Sequence, residues 1–319
     1  MRGVYKKFSF YSNFFSPGDR VTSGNNVIIP TAFVKKYPVL TYFTLTFLIS
    51  WGGVAILAAP YGMPAPQAEF EQAWPVVFLP YFLGPSLSGL LMIGFLHGRA
   101  GFHHLFSRFI KWKADFRCYI VAVLTAPLLV APLLLVFSQF SNEYVPAIFA
   151  AESRLTLIIM GVIVGLIFGG ILEEIGWTGF AISEMRKQHH SLFTGFIVGI
   201  LWGIWHIFPT YWGSGDAAGA LSLSLFLPPC LFYIGVLTAY RVLMVWVYDN
   251  TGSLLINMCM HASLTATTLF ILVPEATGMD LAVYYLFLTA VIWLIVLFVW
   301  FRLDSFMKSN SIGTNGVNL

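Results

Sequence analysis

Eight apolar stretches run through the chain at 39–60, 75–97, 118–140, 155–182, 192–212, 221–247, 253–273 and 281–301, separated by short polar segments. Each is continuous rather than alternating. A helix needs roughly twenty such residues to cross about 30 Å of hydrocarbon, whereas a membrane strand needs about ten with period-two alternation. In lipid the backbone must satisfy its own hydrogen bonds, so the stretches predict helices. The expected fold is all-α, a polytopic membrane bundle of about eight transmembrane helices. Three regions follow: a flexible basic tail at 1–37, a transmembrane domain at 38–302 and a short tail at 303–319. The first long apolar run starts only near Val39, so the N-terminal segment does not read as a signal peptide.

Composition sharpens this. Of 319 residues, 58% are hydrophobic and 10% charged, with a mean hydropathy of +0.80. An average soluble domain is about 25% charged, so a soluble enzyme, a nucleic-acid binder, a coiled coil and a disordered chain are all excluded. The partners expected are a lipid bilayer and a peptide or protein substrate, with no nucleic acid. Fifteen of the 17 Lys and Arg lie in the N-terminal tail, the segments 98–117 and 183–191, and the C-terminal tail. The alternate loops hold Arg154 alone against Glu69, Glu71, Glu143, Glu152, Asp216, Glu275 and Asp280. This bias places both termini in the cytoplasm. Cys118, Cys230 and Cys259 sit in apolar runs without CxxC spacing and read as packing residues.

Only Glu173, Glu174 and Arg241 are charges well inside the stretches. One charge at mid-bilayer costs about 2.5–3.5 kcal/mol on insertion scales, and two adjacent carboxylates repel as well. Such a pair needs a function or a compensating partner. Gly161, Gly165 and Gly169 recur every four residues and Glu173 is the next step; Gly195, Gly199 and Gly203 repeat the device in the fifth stretch, beside Trp202 and His206. Small residues at this spacing mark close helix packing. The fourth and fifth helices are therefore expected to pack together, with Glu173 and His206 facing a shared interior. His261 lies in the seventh stretch, with Thr265 one turn on and able to bond to it. A carboxylate and two imidazoles in a wet membrane cavity suit hydrolysis. The carboxylate shuttles a proton, and the imidazoles bind a metal or donate to an oxyanion. The bland alternative is a structural polar knot. The zinc signature H-E-x-x-H is absent, so any metal would draw ligands from three helices.

The string Glu173-Glu174-Ile175-Gly176-Trp177-Thr178-Gly179-Phe180 resembles the E-E-x-x-x-R-G motif of the CPBP intramembrane metalloproteases, which include CAAX prenyl endopeptidases and bacteriocin-processing or immunity proteins. Trp202 to His206 resembles that family's F-x-x-x-H motif, and His261 to Thr265 its H-x-x-x-N/D motif. The similar region is a motif core at 155–270. The resemblance implies a catalytic set of Glu173, Glu174, His206 and His261, with Glu173 activating water and Glu174 supporting it. Trp202, Thr178, Thr265 and Arg241 are the supporting residues. If Zn2+ or another divalent metal is used, Glu173, His206 and His261 are its ligands; otherwise no cofactor is implied. Three positions depart from the motifs: Thr178 replaces Arg, Thr265 replaces Asn or Asp, and Trp202 replaces Phe. The first leaves Glu174 without its local cation, and Arg241 from the sixth helix is expected to supply that charge.

The function expected is an intramembrane endopeptidase, metallo- or glutamate-type, cutting near the cytoplasmic face of a membrane, expected to be a bacterial cell membrane. A non-proteolytic, immunity-type member that binds a peptide or partner is the alternative. A proton-coupled transporter using the Glu pair as a relay is a third reading.

Overall fold

A computed structural model describes residues 28–314, with side chains from 31 to 301. Two units are separate bodies, 1–37 and 38–319. Of the first, the described part is one short helix, α1 (Ile28–Lys36); the rest of the tail expected at 1–37 lies outside the described residues.

The second unit contains α2 (Pro38–Tyr61), α3 (Gln67–Phe109), α4 (Phe116–Phe137), α5 (Arg154–Met185), α6 (Ser191–Trp212), α7 (Leu223–Thr251), α8 (Leu254–Ile271) and α9 (Gly278–Thr314). All eight are long and apolar enough to cross a membrane, α9 by its first part, Gly278–Phe301. No strand occurs among the described residues. The protein is an all-α polytopic bundle.

Local chemistry sets the ends. Ser153 Oγ accepts from Thr156 N at 3.3 Å to open α5, His190 Nδ1 accepts from Phe193 N at 3.2 Å to open α6, and Ser253 Oγ accepts from Ile256 N at 3.3 Å to open α8. Gly252, with φ +59°, closes α7 in the left-handed region that favours glycine. The Gly252–Ser253 turn folds α7 and α8 into an antiparallel pair. Arg241 and His261 then lie roughly 13–16 Å from the turn, at similar depth.

Two expectations are corrected. The segment 98–117 is not mainly loop: α3 continues to Phe109, with a break in direction at Gly98 (φ +53°, ψ −143°). The polar residues there hid the helix from an apolar window. The glycine stripes of α5 and α6 do not face each other either. A Cβ on Gly165 would fall 2.5 Å from Ala262 O, and one on Gly161 3.0 Å from Phe270 Cβ, so the α5 stripe seats α8. A Cβ on Gly195 would fall 2.6 Å from Val242 Cα and one on Gly199 2.7 Å from Thr238 Cα, so the α6 stripe seats α7. Spacing shows which residues share a face and leaves open which helix covers it.

The resulting core places α5 between α3 and α8, while α7 packs against both α6 and α8. Polar side chains of α5, α6, α7 and α8 meet there.

Candidate active site

α5 carries the glutamate pair on backbone that is not ordinary α-helix. Gly165–Glu173 and Trp177–Ile182 are π-helical, with a single α turn, Glu174–Gly176, between them. The wider turn rotates successive side chains by less than 100° and lets both adjacent glutamates point inward. Such segments recur at functional sites.

Glu173 is 3% exposed. Its Oε2 accepts from Trp177 Nε1 at 3.0 Å and from Trp202 Nε1 at 2.7 Å. Oε1 takes no hydrogen bond from the described side chains. One indole belongs to the same helix, four residues on, and the other to α6. Together they fix the carboxylate plane and aim the second oxygen.

Glu174 is fully buried and saturated. Arg241 Nη1 donates to its Oε1 at 2.7 Å and its Oε2 at 2.9 Å. His261 Nδ1 lies 2.7 Å from Oε1, and Thr178 Oγ1 donates to Oε2. Thr178 in turn accepts from Asn257 Nδ2 at 3.1 Å. Arg241 comes from α7 rather than from the motif position on α5, and supplies the cation Thr178 lacks. Its guanidinium carbon sits 4.0 Å from the centre of the Trp202 ring, so Trp202 serves a carboxylate with its N–H and a cation with its face.

His261 therefore spans both glutamates. A carboxylate accepts only, so Nδ1 carries the hydrogen toward Glu174 and fixes the tautomer. The opposite nitrogen, Nε2, lies 4.0 Å from Glu173 Oε2. Gly169 makes room for this ring: a Cβ there would fall 2.8 Å from His261 Cδ2 and 2.6 Å from Thr265 Oγ1. Thr265 thus lies beside His261, but no hydrogen bond joins them among the described residues.

His206 is placed differently from expectation. Its Nδ1 donates to Trp202 O at 2.8 Å, and its ring stacks on Tyr233 with centroids 4.3 Å apart. No hydrogen bond or ion pair links it to Glu173, Glu174 or His261 among the described residues. It shares Trp202 with His261, their rings 5.9 Å and 4.8 Å from that indole. The cause is depth: His206 lies one helical turn beyond Trp202, and Trp202 is the residue that reaches Glu173.

The same placement bears on a metal. No group of three His, Cys, Asp or Glu among the described residues could hold one. Glu173 Oε2 is taken by two indoles, and His206 makes no hydrogen bond or ion pair with Glu173 or His261 among the described residues, although each imidazole keeps its Nε2 open. Glu173, His206 and His261 as placed do not fit a resident Zn2+ or other divalent ion.

Sequence reasoning missed two groups. Arg108, assigned to a loop, is buried; it donates to Ser183 Oγ at 2.5 Å, Tyr248 Oη at 2.6 Å and Gly179 O at 2.9 Å, tying α3 to α5 just past the motif. Nothing in its local sequence sets it apart from neighbouring basic residues. The second is an aromatic wall behind Glu173. Trp177 meets Trp205 edge-on at 5.6 Å, and Trp205 stacks flat on Tyr81 at 3.8 Å and 12°.

No curated protein matches the chain. Residues 154–267 match the family model of type II CAAX prenyl endopeptidase Rce1-like proteins, and this stretch spans α5 to α8 with both glutamates, Arg241 and both histidines. The ordered motifs and the eight-helix membrane bundle agree with this match, so the stretch 154–267 is similar to the type II CAAX prenyl endopeptidase Rce1-like family.

Proposed function

We propose that the protein is an intramembrane endopeptidase in which Glu173 activates water directly. The observation that carries this is the asymmetry of the Glu173 carboxylate. Trp177 and Trp202 hold one oxygen, the same oxygen that His261 Nε2 approaches at 4.0 Å, and the other is left for a water molecule. In the reaction Glu173 Oε1 takes a proton from water as the oxygen adds to the scissile carbonyl carbon. The same carboxyl then gives that proton to the amide nitrogen as the C–N bond breaks, leaving a carboxylic acid and an amine. His261, oriented through Nδ1 by Glu174, presents Nε2 to the attacking water. Glu174, Arg241 and Thr178 hold the imidazole rather than touch substrate.

Glu173 stands 12 residues before the end of α5 at Met185, roughly 18 Å along the helix. With the basic loops in the cytoplasm, that depth is near the middle of a hydrocarbon core about 30 Å thick, and cleavage falls on a segment entering from the cytoplasmic side. The test is a cleavage screen of the purified protein on a peptide library, beside Glu173→Gln. Loss of cleavage by roughly 10²–10⁴ with unchanged folding supports the reading. Peptide binding without cleavage by the unaltered protein supports the immunity-type alternative instead.

A further inference from the structure

Catalysis by Glu173 requires hydrogen-bond donors for the carbonyl oxygen as it gains charge, and the motif histidines do not provide them in their neutral form. Both Nδ1–H groups are committed, His261 to Glu174 and His206 to Trp202 O, so each ring presents Nε2 as an acceptor. Thr265 stands where the motif has Asn or Asp. Donors have to come from elsewhere in the wall.

Besides Arg241 Nε and Nη2 beside Glu174 and Tyr42 Oη beside Trp177, two buried donors there are unspent. Tyr81 Oη and Trp205 Nε1 have no partner among the described residues, and both side chains are at least nine-tenths buried. Buried polar atoms are nearly always bonded, so two adjacent exceptions in one stacked pair call for a ligand. Their location points the same way. Tyr81 lies 6.1 Å from the His206 ring, and Trp205 touches both His206 at 4.9 Å and Trp177 at 5.6 Å, the latter donating to Glu173. The stack with Trp205 fixes the Tyr81 ring, and Ser50 Oγ donating to Tyr81 O at 2.8 Å fixes its backbone. A rigid phenol with a free O–H is pre-organised for an oxyanion.

We infer that Tyr81 is a catalytic residue, its hydroxyl donating to the scissile carbonyl oxygen of a peptide substrate, with the Trp205 N–H beside it in the same donor wall. This inference rests on the proposed peptidase reading. The test is Tyr81→Phe, which deletes one oxygen and keeps the stack, measured on a peptide that the unaltered protein cleaves.

The expected result is a fall in kcat of about 10²-fold, the loss typical of one oxyanion donor, with KM within about twofold. The melting temperature should hold or rise, because an unpartnered hydroxyl is removed. Tyr144→Phe, whose hydroxyl donates to Asp280 O at 3.0 Å far from the site, is the contrast: lower stability, unchanged kcat. Tyr81→Phe with unaltered kcat, or with kcat and melting temperature falling together, or failing to fold, overturns the inference and leaves the peptidase reading standing. No cleavage by the unaltered protein overturns both.

Discussion

Replacing Arg241 with alanine removes the cation paired with the fully buried and saturated Glu174. Arg241 and Glu174 are both fully buried, joined by Nη1 at 2.7 Å and 2.9 Å. Removing one member of a buried pair strands the other, at about 3–5 kcal/mol. Losing the guanidinium from the Trp202 face adds about 0.5–2 kcal/mol. The sum, about 3.5–7 kcal/mol, is a large share of the ~5–15 kcal/mol that holds a typical domain together. In detergent the melting temperature should fall on the order of 10 °C. The assay is thermal unfolding followed by tryptophan fluorescence, run as a double-mutant cycle with Glu174→Gln. Either single change leaves a buried charge or polar group unpaired, whereas the pair of changes removes both charges, so the double variant should cost clearly less than the sum. Adding Thr178→Arg to Arg241→Ala should recover part of the loss, because residue 178 lies one turn from Glu174 and its hydroxyl already touches that carboxylate. Additive costs in the cycle, together with no rescue by Thr178→Arg, would refute the claim that Arg241 stands in for the motif arginine.

Two further outcomes follow from packing and donor geometry. Gly199→Ala sets a Cβ 2.7 Å from Thr238 Cα and 2.9 Å from Thr238 O, so α6 and α7 must separate, at about 1–3 kcal/mol; Gly52→Ala, inside α2 with nothing within 4 Å, should hold or raise the melting temperature. Treatment of the purified protein with a strong chelator should leave the cleavage rate unchanged, since Glu173, His206 and His261 do not form a three-ligand group; a rate lost to chelator and restored by Zn2+ would show that the side chains regroup around an ion.

The sequence made the membrane-spanning framework readable because hydrocarbon tolerates so few alternatives. Long apolar runs had to be helices, and three charges inside them had to find one another. That constraint led from the missing motif arginine at 178 to Arg241 before any contact was visible. Periodicity was less informative where the helix itself is irregular. The π-helical turns around Glu173 and Glu174 shift the facing of the residues that follow, and a 3.6-residue wheel has no term for them. The glycine stripes show the complementary limit: Gly165 and Gly199 mark close approach, but Ala262 and Thr238 that fill them are ordinary residues in other helices. Trp202, at the position of the motif's phenylalanine, is the residue that bonds Glu173, and His206 one turn on bonds the Trp202 carbonyl instead. Tyr81 and Arg108 were illegible for the same reason. One is a tyrosine in a Phe-rich helix and the other a basic residue beyond a glycine break, and only tertiary contact distinguishes them.

The role of Glu173 is tested most directly by following peptide cleavage in H₂¹⁸O by mass spectrometry, comparing the unaltered protein with Glu173→Gln at matched folding. The account predicts ¹⁸O in the new carboxylate with the unaltered protein and a rate at least about 10²-fold lower for the variant. A Glu173→Gln protein that cleaves at the unaltered rate would contradict it.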